Sequence, residues 1–146
     1  MKRAGFTMIE LIFVIVILGI LAAVAIPKLS ATRTDAEVSK IATDTATLIS
    51  DLGAYYTSRG TFASANITDI TNFDTGKILA SLKDTDTFDI TDGGGHDCLK
   101  VTFDSVEDGN VTISKGTGTS SVCKSVKSAT ENLITTYQFG GSHIKR

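Results

Sequence analysis

Two kinds of hydrophobic pattern follow one another along the chain. Residues 6–26 are apolar on every side, about 21 residues around the single charge of Glu10, and as a helix they reach roughly 31 Å, enough to cross a bilayer core. Further on the apolar positions become periodic: Val38, Ile41, Ala42, Thr45, Leu48, Ile49, Leu52 and Tyr55 or Tyr56 share one helical face. Glu37, Lys40, Asp44, Thr47 and Asp51 share the other. Nothing between the two patterns stops a helix, so one long helix is predicted over residues 6–57, ended by Ser58, Arg59 and Gly60. Gly19 and Pro27 are its weak points. Pro27 removes one backbone hydrogen bond and predicts a kink near Ala23.

Past Gly60 the period changes again. Residues 61–92 form a polar connection anchored by Ile67, Ile70 and Phe73, with a short helix predicted over 75–83 that turns Ile78, Leu79 and Leu82 inward. Strands are predicted at 87–91, 98–103, 110–114 and 122–126, separated by glycine-rich turns; Leu99, Val101 and Phe103 alternate with Lys100 and Thr102, and Val111 and Ile113 with Thr112. A terminal helix over 128–137, opened by Ser128 with Glu131 three residues later, competes with an edge strand at 137–139. Residues 140–146 read as a mobile tail. The fold class is therefore α+β: a long N-terminal helix, half membrane-seeking and half amphipathic, packed on a small antiparallel sheet. The expected organisation is a leader at 1–5, an anchor at 6–27 and a globular head at 28–146. The head divides into helix 28–57, loop 58–92 and sheet with C-terminal region 93–146.

Glu10 gives the anchor its meaning. A carboxylate in a membrane helix costs about 2.5–3.5 kcal/mol on insertion scales, and each Leu, Ile, Phe or Val returns about 0.3–0.6 near the centre. The run at 11–18 offsets Glu10, so the segment inserts. Its own helix offers the carboxylate no partner at the same depth, which implies one from another molecule.

The chain has 146 residues, with 14 basic and 16 acidic side chains and a net charge of −2. An acidic balance argues against nucleic-acid binding as the main activity. Lys2 and Arg3 hold the N-terminal end in the cytoplasm and place the head outside it. There the only two cysteines, Cys98 and Cys123, are expected to pair; two buried free thiols are the alternative.

The string Lys2, Arg3, Ala4, Gly5, Phe6, Thr7, Met8, Ile9, Glu10, followed by the apolar run with Gly19 and Pro27, resembles the type IV pilins and the pseudopilins of type II secretion. The resemblance implies cleavage after Gly5 by a membrane peptidase that methylates the new amine of Phe6. It also implies that Glu10 meets the N-terminal amine of a neighbouring subunit during filament assembly. The implied partners are further copies of the subunit, the prepilin peptidase and methylase, and an inner-membrane assembly platform. The precursor would be a single-pass inner-membrane protein, and the product a periplasmic or extracellular filament. The segment between Gly19 and Pro27 would lose helicity as subunits stretch. Tyr55, Tyr56, Arg59, Gly60, Thr61 and Phe62 resemble the helix exit of the major pseudopilins, whereas Ala63 and Ser64 depart from their pattern. An ordinary secretory signal cut after Ala23, Val24 and Ala25, or an uncut anchor, would leave Gly5, Phe6 and Glu10 without a role.

Other candidate chemistry is thinner. Asp84, Asp86, Asp89, Asp92 and Asp97 are dense enough to suggest calcium, as in pseudopilins, but their spacing matches neither the EF-hand loop nor the pseudopilin pattern, and loop aspartates commonly form turns. His96 and His143 stand apart, and no phosphate loop or activated-serine motif appears, so an enzyme is not expected. Asn66 with Thr68, and Asn110 with Thr112, fit the glycosylation sequon. Asp108 adds an acidic residue two before Asn110. Lys115, Lys124, Lys127, Lys145 and Arg146 would favour a DNA-uptake or adhesive role only if they gathered on one surface.

Overall fold

A computed structural model describes residues 5–73 and 79–140. Contacts divide the chain into two compact units, Met1–Ala36 and Glu37–Arg146. Helix α1 (Met8–Arg59) belongs to both, and it continues through Gly19 and Pro27 without interruption. It ends where the sequence says it should. Gly60 takes a φ of +76° and its N–H bonds to the Tyr56 carbonyl at 2.7 Å, a left-handed cap that suits glycine.

In the second unit the amphipathic part of α1 packs on a four-stranded antiparallel sheet in the order β1 (Thr87–Thr91), β2 (Asp97–Ser105), β3 (Asn110–Lys115), β4 (Thr136–Gln138). Ile41, Thr45, Leu48 and Leu52 form the buried stripe of α1, spaced four, three and four apart. Thr45 survives in that stripe because its hydroxyl donates to the Ile41 carbonyl, 2.7 Å away. From the sheet come Phe88 and Ile90, then Leu99, Val101 and Phe103, then Val111 and Ile113, all buried. The alternating residues face the other way. Thr87, Thr102, Thr112 and Thr136 stand opposite one another across all four strands, a row of cross-strand threonine pairs.

Phe62 closes the core just after the helix cap. It is fully buried, with ring centroids of Tyr56, Phe103 and Phe139 at 5.2, 5.6 and 6.0 Å. Tyr56 in turn lies against Gly109, where any side chain would collide with its ring, and donates to the Glu107 carbonyl at 2.8 Å. That contact fastens the end of α1 to the β2–β3 hairpin.

Several expected elements differ. The strand expected at 122–126 is helix α3 (Ser121–Ala129): Ser120 caps it by accepting from the Cys123 N–H, and Cys123, Val126 and Thr130 repeat at helical, not strand, spacing. The helix expected at 128–137 is a single 3₁₀ turn (Glu131–Leu133) followed by β4, so the edge-strand alternative holds. In the connection the helix is α2 (Ile67–Ile70), whose Ile67 and Ile70 are buried. Of the helix expected at 75–83, residues 75–78 lie outside the described residues, and 79–83 are not helical. Leu82 is nonetheless buried, its N–H bonded to the Ala65 carbonyl at 2.8 Å. Residues 141–146 of the expected tail also lie outside the described residues. Glu37 and Asp51, on the face of α1 opposite its apolar stripe, tie loops to it: Glu37 accepts from the Gly93 N–H and Asp51 from the Thr71 hydroxyl.

Cys98 and Cys123 form the expected disulfide, joining β2 to α3. For a loop of this length the chain-entropy model gives about 3.5 kcal/mol. Beside it, Asp92 is buried and accepts hydrogen bonds from the Ser120 hydroxyl at 2.6 Å, the His96 N–H at 2.9 Å, the His96 ring at 3.0 Å and the Gly94 N–H at 3.0 Å. Burial alone would push this carboxyl up, but those donors outweigh it and hold its pKa at about 2.

A carboxyl depressed on folding adds stability that is complete above its unfolded pKa and fades as pH falls through its folded one. Asp92 should therefore stabilise the head fully above about pH 4, and that contribution should drain away between about pH 4 and 2. Acid unfolding followed by circular dichroism should show Asp92→Asn less stable than the parent at pH 6, with the gap narrowing below pH 4.

Candidate functional site

Within the apolar stretch of residues 6–26, Thr7 and Glu10 form a polar pair at the start of α1. Thr7 precedes α1 as its N-cap and Glu10 is three residues on. The Thr7 N–H donates to Glu10 Oε2 at 2.8 Å, the Thr7 hydroxyl donates to the same oxygen at 2.7 Å, and the Glu10 N–H bonds back to that hydroxyl at 3.3 Å. This is a reciprocal capping box, which satisfies two of the orphan donors at a helix start. The sequence reading held that the helix offers Glu10 no partner of its own. The structure corrects this, because Thr7 is a neutral one. The signal for it is the T-x-x-E spacing of Thr7 and Glu10 ahead of an apolar run. Among the described residues only Oε2 is engaged, and Oε1 keeps its acceptor capacity.

Apart from Thr7, the described side chains around Glu10 are apolar. Phe6, Ile9, Phe13 and Val14 line an open recess beside the carboxylate. Every residue from 5 to 33 is exposed, and α1 is long and apolar enough to cross a membrane.

The remaining candidates are scattered over the head. Asp84 accepts from the Val106 N–H, Asp86 from the Lys83 N–H, Asp92 holds the disulfide-side turn, and Asp97 is near the Thr117 hydroxyl. Lys100 approaches Asp89 at 3.9 Å across β1 and β2. Each aspartate thus serves a local turn or strand, and the set does not converge on one point. Asp92, Cys98 and Cys123 do come together, but the two sulfurs are spent in the disulfide. His96 bonds Asp92, and His143 lies outside the described residues. Lys115 pairs with Glu131 at 3.6 Å and Lys127 donates to the Gly118 carbonyl; Lys145 and Arg146 lie outside the described residues.

A family model described as the prokaryotic N-terminal methylation motif matches residues 1–26. The chain thus carries a prepilin-type N-terminal segment, consistent with the type IV pilin and pseudopilin family, and its α+β architecture is pilin-like. No curated protein and no solved structure matches the chain.

Thr7→Ala removes the N-cap hydroxyl and should cost the first turn of α1 about 1 kcal/mol. Amide hydrogen exchange at residues 8–10 in detergent micelles should accelerate severalfold, while amides in β2 and β3 should be unchanged.

Proposed function

We propose that the chain is a structural subunit of a type IV pilus-like filament. In this reading it is cut after Gly5, methylated on Phe6, and polymerised through the exposed apolar part of α1. The observation that carries the proposal is the methylation motif matched at residues 1–26, running into a helix from Met8 whose apolar surface is uncovered in the single chain. The role is structural and not enzymatic, as for the proteins that carry this motif.

The capping box gives the assembly step a physical form. Removal of residues 1–5 leaves the Thr7 N–H and hydroxyl in place, so Glu10 Oε2 stays engaged after processing. Oε1 is left for the charged amine of Phe6 on a neighbouring subunit. Apolar packing between helices supplies most of the filament's stability, and the ion pair sets axial register. Gly19 and Pro27 bound the stretch where the helix gives way when subunits are pulled apart. The partners in this reading are copies of the same chain, the prepilin peptidase and the inner-membrane assembly platform.

Within that class a surface pilus subunit is favoured by the disulfide that pins the distal head, and by Ala63 and Ser64 where pseudopilins differ. A secretion pseudopilin is the second reading, supported by the Tyr56, Gly60 and Phe62 helix exit, which is the packed junction of α1 with the sheet. A minor pilin acting as adhesin or DNA receptor has less support, since Lys115 and Lys127 are engaged by Glu131 and the Gly118 carbonyl.

Two variants separate the charge of Glu10 from its capping role. Glu10→Ala should insert into membranes at least as well as the parent and yield few or no filaments. Glu10→Gln, which keeps a capping-box acceptor, should fail in the same way. Electron microscopy of sheared material provides the count, and normal filament numbers from Glu10→Gln would refute the ion-pair mechanism.

A further inference from the structure

The two Asn-x-Thr sequences differ in the fold. Asn66 caps the entry to α2 with both ends of its carboxamide held: Nδ2 donates to Asp69 Oδ2 at 3.0 Å and Oδ1 accepts from the Ser81 N–H at 3.3 Å. Its nitrogen is committed. Asn110 opens β3, where Val111 and Ile113 turn into the core, so Asn110 and Thr112 share the polar outer face and Asn110 is half-exposed. Its carboxamide makes no hydrogen bond to another described residue. Asp108, in the hairpin turn two residues earlier, completes an acid-x-Asn-x-Thr string, with Gly109 turning the chain at φ +69°.

One side of this string is held by β2, where Ser105, Phe103 and Thr102 face Asn110, Val111 and Thr112; on the other side the cover is slight. β4 pairs only with Asn110, Val111 and Thr112, through Gln138, Tyr137 and Thr136, and it is three residues long. It follows α3 in the chain, so β3 is synthesised before this second partner strand. In the finished fold the Thr112 hydroxyl is occupied by Asp104 Oδ2 at 2.5 Å and Thr136 Oγ1 at 2.7 Å. Asp104 belongs to β2, so an enzyme that reads that hydroxyl must act before β2, β3 and β4 have paired.

We propose that Asn110 is an N-glycosylation site, modified on the outer side of the inner membrane by a transferase that uses an oligosaccharide carried on a polyprenyl pyrophosphate. Asn110 Nδ2 attacks C1 of the first sugar and the C1–N bond forms. The C1–O bond to the pyrophosphate breaks and the lipid pyrophosphate departs. The amide proton passes to a base of the transferase. The glycan then leaves from the outer face of the sheet, beside Thr112 and Gln138, and buries no apolar surface. There it shields the exposed edge strand β4 from pairing with another chain. The proposal rests on the reading that the head lies outside the cytoplasm.

The test is the intact mass of the full chain purified from membranes of cells that naturally make it, followed by peptide mapping. The parent should carry added mass on the peptide containing Asn110. That mass should vanish in Asn110→Gln and in Thr112→Ala, return in Thr112→Ser, and persist in Asn66→Gln. A parent at the bare polypeptide mass, or added mass retained by Asn110→Gln, overturns the assignment. The same spectra report the Cys98–Cys123 bond. An oxidised, processed chain without glycan sinks the glycan and leaves the export reading intact, whereas a reduced chain still bearing residues 1–5 removes both.

Discussion

Among the described residues, all sixteen exposed large apolar side chains lie between Phe6 and Leu29, and none of that surface is covered by the chain itself. Each such side chain gains about 1.5–3 kcal/mol when it leaves water, so the segment carries an unmet driving force on the order of tens of kcal/mol. A soluble monomer cannot keep it. Lipid meets the demand first, and the proposed filament meets it by replacing lipid with the same segment of other copies. Because lipid is as apolar as leucine, moving from one to the other gains little from hydrophobicity. Packing and the few polar contacts must decide it. That is why one glutamate matters among so many apolar residues.

The head meets a different demand. A domain of this size has a modest core, and its elements are joined at two places where polar or aromatic chemistry fixes what hydrophobic packing would leave loose. At one, Phe62 and Tyr56 fasten the end of α1 to the β2–β3 hairpin. At the other, Asp92 gathers the turn before β2 and the start of α3 around the Cys98–Cys123 bond, while Glu37 ties the same turn to α1. Both knots bind α1 to the sheet, so the helix proposed to assemble the filament is also the one that carries the head.

The long helix, its stop at Gly60 and three of the four strands were legible because each repeats a clear period over enough residues. The stretch at 122–126 misled because Val122, Cys123 and Val126 suit a strand by residue type, and the deciding features, the Ser120 cap and the three-residue step from Cys123 to Val126, are short-range. The connection was harder still. Leu82 is buried through a pairing with Ala65, a long-range contact that no local period announces. For the candidate site, the motif and Glu10 were plain in the sequence, and the role of Thr7 was readable from T-x-x-E. Asp92 was visible only as one of several loop aspartates, since its donors come from His96, Gly94 and the distant Ser120.

The account stands on processing at Gly5, because only that cut frees the amine that Glu10 is proposed to meet. The most direct measurement is N-terminal sequencing of the protein from sheared filaments or membranes, with the mass of its first peptide. The account predicts a chain beginning at N-methylated Phe6. A chain beginning near Ile26, or one still carrying Met1, would contradict it and leave an exported or anchored domain with no filament to build.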